Sequence, residues 1–224
     1  MNAKKEEKLK QRYMKKSRGR AYAVLHAILG YPIRWIFRLH VHGAENEPKR
    51  GEGAYLLVCN HLTVLDPVWL CAVLKNQQPH FMAKAELFKV PVLSQLVRAL
   101  GAYPIKRGGA DVGAIRNTIK MLGEGRTVGM FPQGTRRKGV DPTTTEVRSG
   151  AGMIALKSGA PVLPVYIKTK DNRPRIFRRI DIYIGKPIST EQIESDGAPI
   201  TEYAKASKFL FDRVCELGIS KENV

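Results

Sequence analysis

Cys59-Asn60-His61-Leu62-Thr63-Val64-Leu65-Asp66-Pro67 is the stretch whose reading decides the fold. The six residues Ala54 to Cys59 are apolar or small and read as a buried strand. The strand runs into a polar pair, Asn60-His61. Asp66-Pro67 then reads as a helix start, because Asp is a favoured N-cap and Pro is tolerated at the first helical position. A histidine at a strand end with a carboxylate one short loop away suits general-base chemistry. Histidine titrates near neutrality, and a neighbouring carboxylate fixes its tautomer and stabilises its protonated form. The plainer alternative is that Asp66 only caps a helix and His61 is only a polar loop residue.

Outward from this stretch, 224 residues suffice for a domain of ordinary size with a real core. Hydrophobic content of 43% and charged content of 26% are globular values. The net charge of +18 is not ordinary and implies an anionic partner: nucleic acid, a membrane surface or a phosphorylated substrate. Cys59, Cys71 and Cys215 have no metal-ligand spacing and sit among apolar residues, which suggests a reducing compartment without disulfides. No secretory signal peptide is expected, since the apolar run from Ala21 has no clean cleavage site.

Residues 1–20 hold nine Lys or Arg against Glu6 and Glu7, a net of +7 and over a third of the total charge. They read as a solvated helix or a disordered arm. Ala21 to Ile33 is then a 13-residue uncharged run, interrupted by His26 and Gly30, with Arg34 and Arg38 flanking Trp35, Ile36 and Phe37. As a helix it measures about 20 Å, short of the roughly 30 Å of a bilayer core. An apolar body with aromatic margins and a basic flank fits an amphipathic segment lying in the membrane interface, with the arm adding attraction to anionic lipid. A core helix packed on the domain is the alternative.

From residue 43 the pattern is that of the α/β class. Gly43 to Gly53 is a turn-rich connector. Strand-like runs lie at 54–59, 80–84, 102–106, 127–131, 162–168 and 180–185. Helical patterns lie at about 66–76, 91–100, 111–123, 150–158 and 199–217. This alternation predicts a largely parallel mixed sheet flanked by helices on both faces.

Three later blocks also bear on chemistry. Tyr103-Pro104-Ile105-Lys106-Arg107-Gly108-Gly109 ends a strand in a basic pair and two glycines. Strand ends in open α/β sheets bind ligands, and a basic pair there suits a phosphate or carboxylate. Phe131-Pro132-Gln133-Gly134-Thr135-Arg136-Arg137-Lys138 again ends a strand, in a turn whose hydroxyl, N–H groups and cations can cradle a phosphate. Each is equally a solvated basic turn when taken alone. Ala160-Pro161-Val162-Leu163-Pro164-Val165 is a strand with two prolines, hence either a ligand wall or an edge strand.

Order and spacing together are more specific. N-H-x4-D, G-x5-R, F-P-x-G-T-R and V-x-P-V resemble the four-block signature of the glycerolipid acyltransferases, especially the 1-acylglycerol-3-phosphate acyltransferases, from about residue 40 to 187. Phe81 to Phe88, Arg148 to Ala151 and Ile184 to Ile188 fit the same family. The resemblance implies a glycerol-phosphate-acyltransferase-like fold at 39–224, preceded at 1–38 by a basic arm and amphipathic membrane-docking helices. It implies that His61 is the base that deprotonates the acceptor hydroxyl and that Asp66 orients it. It assigns the acceptor phosphate to Arg107, Gly134, Thr135 and Arg136, with Lys84 helping, and places Asn60, Gln133 and Pro164 in the acceptor or acyl pocket. One departure stands out: the family's third block usually reads F-P-E-G-T-R, and Gln133 replaces the glutamate. Gln accepts and donates hydrogen bonds without charge. It can replace a glutamate that touches an acceptor hydroxyl, but not one whose charge organises the arginines.

The implied reaction is acyl transfer from an acyl-carrier-protein or coenzyme A thioester to the sn-2 hydroxyl of lysophosphatidic acid. No cofactor or metal is implied beyond the thioester co-substrate. The implied location is peripheral or monotopic on the cytoplasmic face of an anionic membrane. Glycerol-3-phosphate, a lysophospholipid or a lyso-aminolipid as acceptor keeps the same catalytic pair. A covalent route through Cys59 is a rival, although a thiol inside an apolar strand reads as inert. A non-enzymatic lipid- or nucleic-acid-binding protein is the alternative of a different class. No stacking platform for single-stranded nucleic acid is visible, so nucleic acid is not expected as a partner. Arg173, Arg175, Arg178 and Arg179, around Ile176 and Phe177, suit anionic headgroups instead.

Overall fold

The computed structural model describes residues 20–89, 91–99, 101–105, 112–196 and 202–219. The basic arm before Arg20 and the block from Lys106 to Gly109, Arg107 included, lie outside the described residues.

In chain order the elements begin with helix α1 (Arg20–Leu25), a π-helical turn (His26–Gly30), α2 (Tyr31–Ile36) and strand β1 (Leu39–His42). β2 (Leu56–Cys59), α3 (Asp66–Val73), β3 (His80–Lys84), α4 (Pro91–Ala99), β4 (Tyr103–Ile105) and α5 (Val112–Gly123) follow. β5 (Val128–Met130), α6 (Gly150–Ser158), β6 (Val162–Thr169), β7 (Ile180–Ile184), α7 (Thr190–Asp196) and α8 (Tyr203–Ile219) complete the chain. The strands form one seven-stranded sheet in the order β1-β7-β6-β2-β5-β3-β4. β6, β2, β5, β3 and β4 are mutually parallel. β7 runs antiparallel to β6, and β1 runs parallel to β7. The expected mixed, largely parallel sheet is therefore present.

Side-chain alternation along the strands divides the core in two. Leu56 and Val58 of β2 join Met121, Leu122, Ile154, Ala206 and Leu210 beneath α5, α6 and α8. Tyr55, Leu57 and Cys59 join Leu62, Trp69, Leu70 and Leu74 beneath α3, with Ile33 and Phe37 packed against them.

This order brings the sequence blocks together. β2 lies between β6 and β5, and β5 lies between β2 and β3. The polar segments after β2 and β5, and Lys84 at the end of β3, thus emerge at the same carboxyl edge of adjacent parallel strands. Ligands in open α/β sheets bind at that edge.

Several expectations change. β1 was not anticipated: Leu-His-Val-His is too short for a clear pattern and is fixed by pairing with β7, 141 residues on. β6 is not an edge strand, because it sits between β2 and β7. Pro164 is accommodated at the last rung beside β7, where its carbonyl accepts from Gly185 N at 2.9 Å and the ladder resumes at Val165–Ile184. A Cβ on Gly185 would lie 2.9 Å from the Pro164 ring. α3 stops at Val73 rather than residue 76, and α8 begins at Tyr203.

The segment after Arg20 has a buried and an exposed face. Tyr22 is buried, and its hydroxyl lies 3.0 Å from Cys71 O and 3.2 Å from Leu74 O, which ties α1 to α3. Val24, Ile28, Tyr31 and Trp35 point to solvent. Among the described residues no helix is long and apolar enough to cross a membrane.

Candidate active site

The site is built where β2 ends. His61 Nδ1 lies 2.7 Å from Asp66 Oδ2, and Asp66 is fully buried while the His61 side chain keeps 14% of its surface exposed. Asp66 is not the N-cap expected for it: Leu65 holds that position, without a side-chain cap. The Asp66 carboxylate instead folds back over the preceding loop. Oδ2 accepts from Leu62 N at 2.6 Å and Thr63 N at 2.9 Å, and Oδ1 accepts from the Thr63 hydroxyl at 3.1 Å. Four donors thus converge on one buried carboxylate and satisfy both of its oxygens. With Nδ1 donating to this carboxylate, the other ring nitrogen of the neutral imidazole, Nε2, is the acceptor. Nε2 has no partner among the described residues, as a base awaiting a substrate proton requires.

A second wall comes from the turn after β5. The Phe131 ring stacks on His61, with centroids 4.0 Å apart and planes within 13°. Phe81 stacks on Phe131 in turn, at 5.7 Å. The imidazole is thus fixed by a carboxylate at one nitrogen and by an aromatic face. Arg137 N donates to His61 O at 2.8 Å, which joins the two loops through the backbone. Gly134 has a φ of 67°, and a Cβ there would meet Arg148 Nε at 2.6 Å, so the turn requires glycine.

Gln133 joins the same two loops from inside. It is 3% exposed. Its Oε1 accepts from His61 N at 2.7 Å, and its Nε2 donates to Thr145 Oγ1 at 2.7 Å. Both ends of the amide are therefore engaged within the protein. Asn60 is similarly occupied: Oδ1 accepts from Ile167 N at 2.7 Å and Nδ2 donates to Ile167 O at 3.0 Å, pinning the end of β2 to β6. Pro164 shares its strand parity with Val162 and Tyr166, on the sheet face under α6 and α8, whereas Cys59 and Leu62 belong to the opposite face. The structure thus brings Asn60 and Gln133 to His61 as supports and does not bring Pro164 to it.

Thr135 and Arg136 are exposed on the turn, and Arg136 has no ion-pair partner among the described residues. Lys84 occupies the last position of β3.

A family model described as Acyltransferase matches residues 38–168 of the chain. The chain belongs to the acyltransferase family. The matched span holds every side chain placed at the site above. A 1-acyl-sn-glycerol-3-phosphate acyltransferase of Streptococcus pneumoniae (strain ATCC BAA-255 / R6) is 34% identical over 158 residues, covering 69% of this chain and 57% of that protein. One of Bacillus subtilis (strain 168) is 29% identical over 150 residues, covering 66% of this chain and 72% of that protein. The chain therefore matches only a little over half the length of the Streptococcus relative. The crystal structure of the 1-acyl-sn-glycerophosphate (LPA) acyltransferase PlsC from Thermotoga maritima superposes with a TM-score of 0.63 at 27% identity, covering 83% of this chain and 73% of that one.

Three residues of this site were not singled out from sequence for what they do here. Phe131 stacks on the histidine, Thr63 ties the loop to Asp66, and Thr145 anchors Gln133. The F-P pair of the third block was the signal for Phe131. Thr63 and Thr145 carry no signal beyond being hydroxyls in loops.

Cys59 is fully buried, and burial, reinforced by the charge of Asp66, pushes its thiol well above the usual range. A thiol so held is a poor nucleophile. Cys59→Ala is therefore expected to keep turnover within a few-fold of the parent protein in a thioester-cleavage assay. Complete loss of turnover in a folded Cys59→Ala protein would instead require an acyl-enzyme.

Proposed function

We propose that the protein transfers an acyl chain from an acyl-carrier-protein or coenzyme A thioester to the sn-2 hydroxyl of 1-acylglycerol-3-phosphate, giving phosphatidic acid. One observation carries the reading: an outward-facing His61 Nε2, with Nδ1 held on a buried carboxylate, in a chain of the acyltransferase family. The names of the Streptococcus, Bacillus and Thermotoga relatives support the choice of acceptor.

In the proposed reaction His61 Nε2 takes the hydroxyl proton as that oxygen attacks the thioester carbonyl. Asp66 stabilises the imidazolium so formed. The tetrahedral intermediate collapses with cleavage of the C–S bond, and His61 returns the proton to the thiolate. The oxyanion needs nearby donors. The N–H groups of His61, Leu62, Thr63, Gly134 and Arg137 already have partners within the protein. We therefore assign oxyanion stabilisation to the Thr135–Arg136 part of the turn. Arg136 and the Thr135 hydroxyl and backbone also suit the acceptor phosphate, with Lys84, at the end of β3, as a further cation and Arg107 assigned to the same role by the family resemblance.

Docking at an anionic membrane surface belongs to the same reading. Val24, Ile28, Tyr31 and Trp35 recur at helical spacing and are exposed, on a segment whose other face is packed on α3. Such a helix lies in the interface rather than crossing it.

A panel crossing both thioesters with lysophosphatidic acid, glycerol-3-phosphate and a lysophospholipid tests the assignment on vesicles containing phosphatidylglycerol. Lysophosphatidic acid is expected to give the highest kcat/KM. Activity confined to acceptors without a phosphomonoester would refute the choice. No turnover with any acceptor, with vesicle binding intact, would point to a binding protein.

A further inference from the structure

The loop joining β6 to β7, residues 170–179, is not used by the chemistry above. Its backbone is nevertheless closely specified. Arg178 N donates to Arg175 O at 3.2 Å, closing a turn with Ile176 and Phe177 as its central residues. Phe177 has a φ of 60°, and Asp171 and Asn172 have φ of 56° and 51°. A positive φ at a bulky residue is costly and persists only where the surroundings impose it.

The surroundings are identifiable. Phe177 N donates to Ile36 O at 3.0 Å, and Ile180 N donates to Arg38 O at 3.2 Å. The Phe177 ring meets Trp35 edge-on, with centroids 6.2 Å apart and planes at 77°. On its other side the loop holds the site's own turn, because Gly139 N donates to Asn172 O at 2.8 Å. The loop thus bridges the end of α2 and the segment that carries Arg136 and Arg137.

Despite these anchors, the tip is left in solvent. Ile176 is 61% exposed, Phe177 59% and Trp35 75%. Around them Arg173, Arg175 and Arg178 are exposed and have no acidic partner among the described residues, whereas Arg179 is paired with Asp181. An apolar tip ringed by unpaired arginines matches a bilayer with anionic headgroups: the rings enter the interface and the guanidinium groups meet phosphates. An acidic protein surface would answer the arginines but not the two adjoining large apolar side chains and their continuity with Trp35.

We infer that the 170–179 loop is a second lipid-seated element, whose Ile176–Phe177 tip enters an anionic membrane interface beside Trp35. The inference rests on the docking reading given for α1 and α2 and extends it to a distant part of the chain. Together the two elements hold the carboxyl edge of the sheet at the membrane from two points, which fixes its orientation as well as its distance.

Sedimentation of the full chain with vesicles of phosphatidylcholine, or of phosphatidylcholine and phosphatidylglycerol in equal parts, tests this. Ile176→Ser/Phe177→Ser is expected to weaken partition onto anionic vesicles by about tenfold or more, since each side chain loses its apolar transfer. Arg175→Gln/Arg178→Gln is expected to weaken it on anionic vesicles alone and to reduce its salt dependence. If the loop variants bind like the parent while Ile28→Ser/Trp35→Ser does not, the loop inference is overturned and the docking of α1–α2 stands. If the parent binds neither vesicle, both fall. Should the double variant fold poorly, a bimane label at Ile176→Cys provides a separate readout, because Cys59, Cys71 and Cys215 are buried. Brominated lipids are expected to quench it on vesicle binding. An unquenched label at 176 beside a quenched one at Ile28→Cys would also overturn the inference.

Discussion

Asp66→Asn is expected to lower kcat by about 10²- to 10⁴-fold, the usual contribution of a positioned acid–base pair, with little change in thermal stability. The asparagine can reproduce most of the local bonding. Its carbonyl can replace Oδ2, which accepts from His61 Nδ1, Leu62 N and Thr63 N. Its amide can donate to Thr63 Oγ1, which gives its proton to Oδ1 in the parent. What the substitution removes is the charge opposite the imidazolium of the proposed reaction. Asp66→Ala provides the contrast. It leaves the Leu62 and Thr63 N–H groups without acceptors, and each buried, unpaired donor costs about 1–3 kcal/mol. That variant is expected to lose stability as well as activity. Thiol release under saturating substrate, with thermal melts of each variant, separates the two effects. Near-parental kcat in Asp66→Asn would show that His61 works without the carboxylate and would remove Asp66 from the proposed mechanism.

The ease of finding this pair in the sequence has a physical basis. His61 and Asp66 are five residues apart, and a strand end followed by a short loop and a helix start brings them within reach without help from distant segments. The alternation of apolar runs with helical patterns likewise predicted a parallel sheet, and parallel strands place the segments that follow them at one edge. Two kinds of feature were not legible. The first depends on long-range pairing: β1 exists because β7 is there to pair with it. Pro164 sits inside the sheet because β7 ends and Gly185 clears space beside it. The second is the direction of a polar side chain. Asn60, Asp66 and Gln133 each lie in a signature block, and their spacing gives no indication of whether they face substrate or backbone. Asn60 pairs with Ile167, 107 residues away. The helical segment after Arg20 offered a choice between core and interface, and the structure gives it one packed face and one exposed apolar face.

Gln133 is where those two kinds of uncertainty meet, and it yields the second large effect. Gln133→Ala is expected to lower kcat by about a hundredfold, the scale that follows when a reacting group is displaced by roughly 1 Å, while KM for the acceptor changes little. The truncation removes the acceptor of His61 N and the donor to Thr145 Oγ1 together. The histidine loop then keeps its tie to the third-block turn through the Arg137 N to His61 O bond and the Phe131 stack, without the side-chain brace. Gln133→Glu is expected to behave quite differently. A carboxylate accepts from His61 N more strongly than an amide does, but it has no proton for Thr145. The Thr145 hydroxyl, which donates to Pro142 O, must therefore turn toward the new carboxylate. Pro142 O is not orphaned by this, because Thr145 N also donates to it at 3.1 Å. The glutamate usual in the family's third block is thus compatible with this backbone, and the variant is expected to keep kcat and KM within several-fold of the parent. Steady-state kinetics of both variants against lysophosphatidic acid decide between support and substrate contact. A raised acceptor KM with unchanged kcat in Gln133→Ala would put the side chain on the substrate. A fall in kcat restored by glutamate would make it the brace between the histidine loop and the turn that carries Arg136.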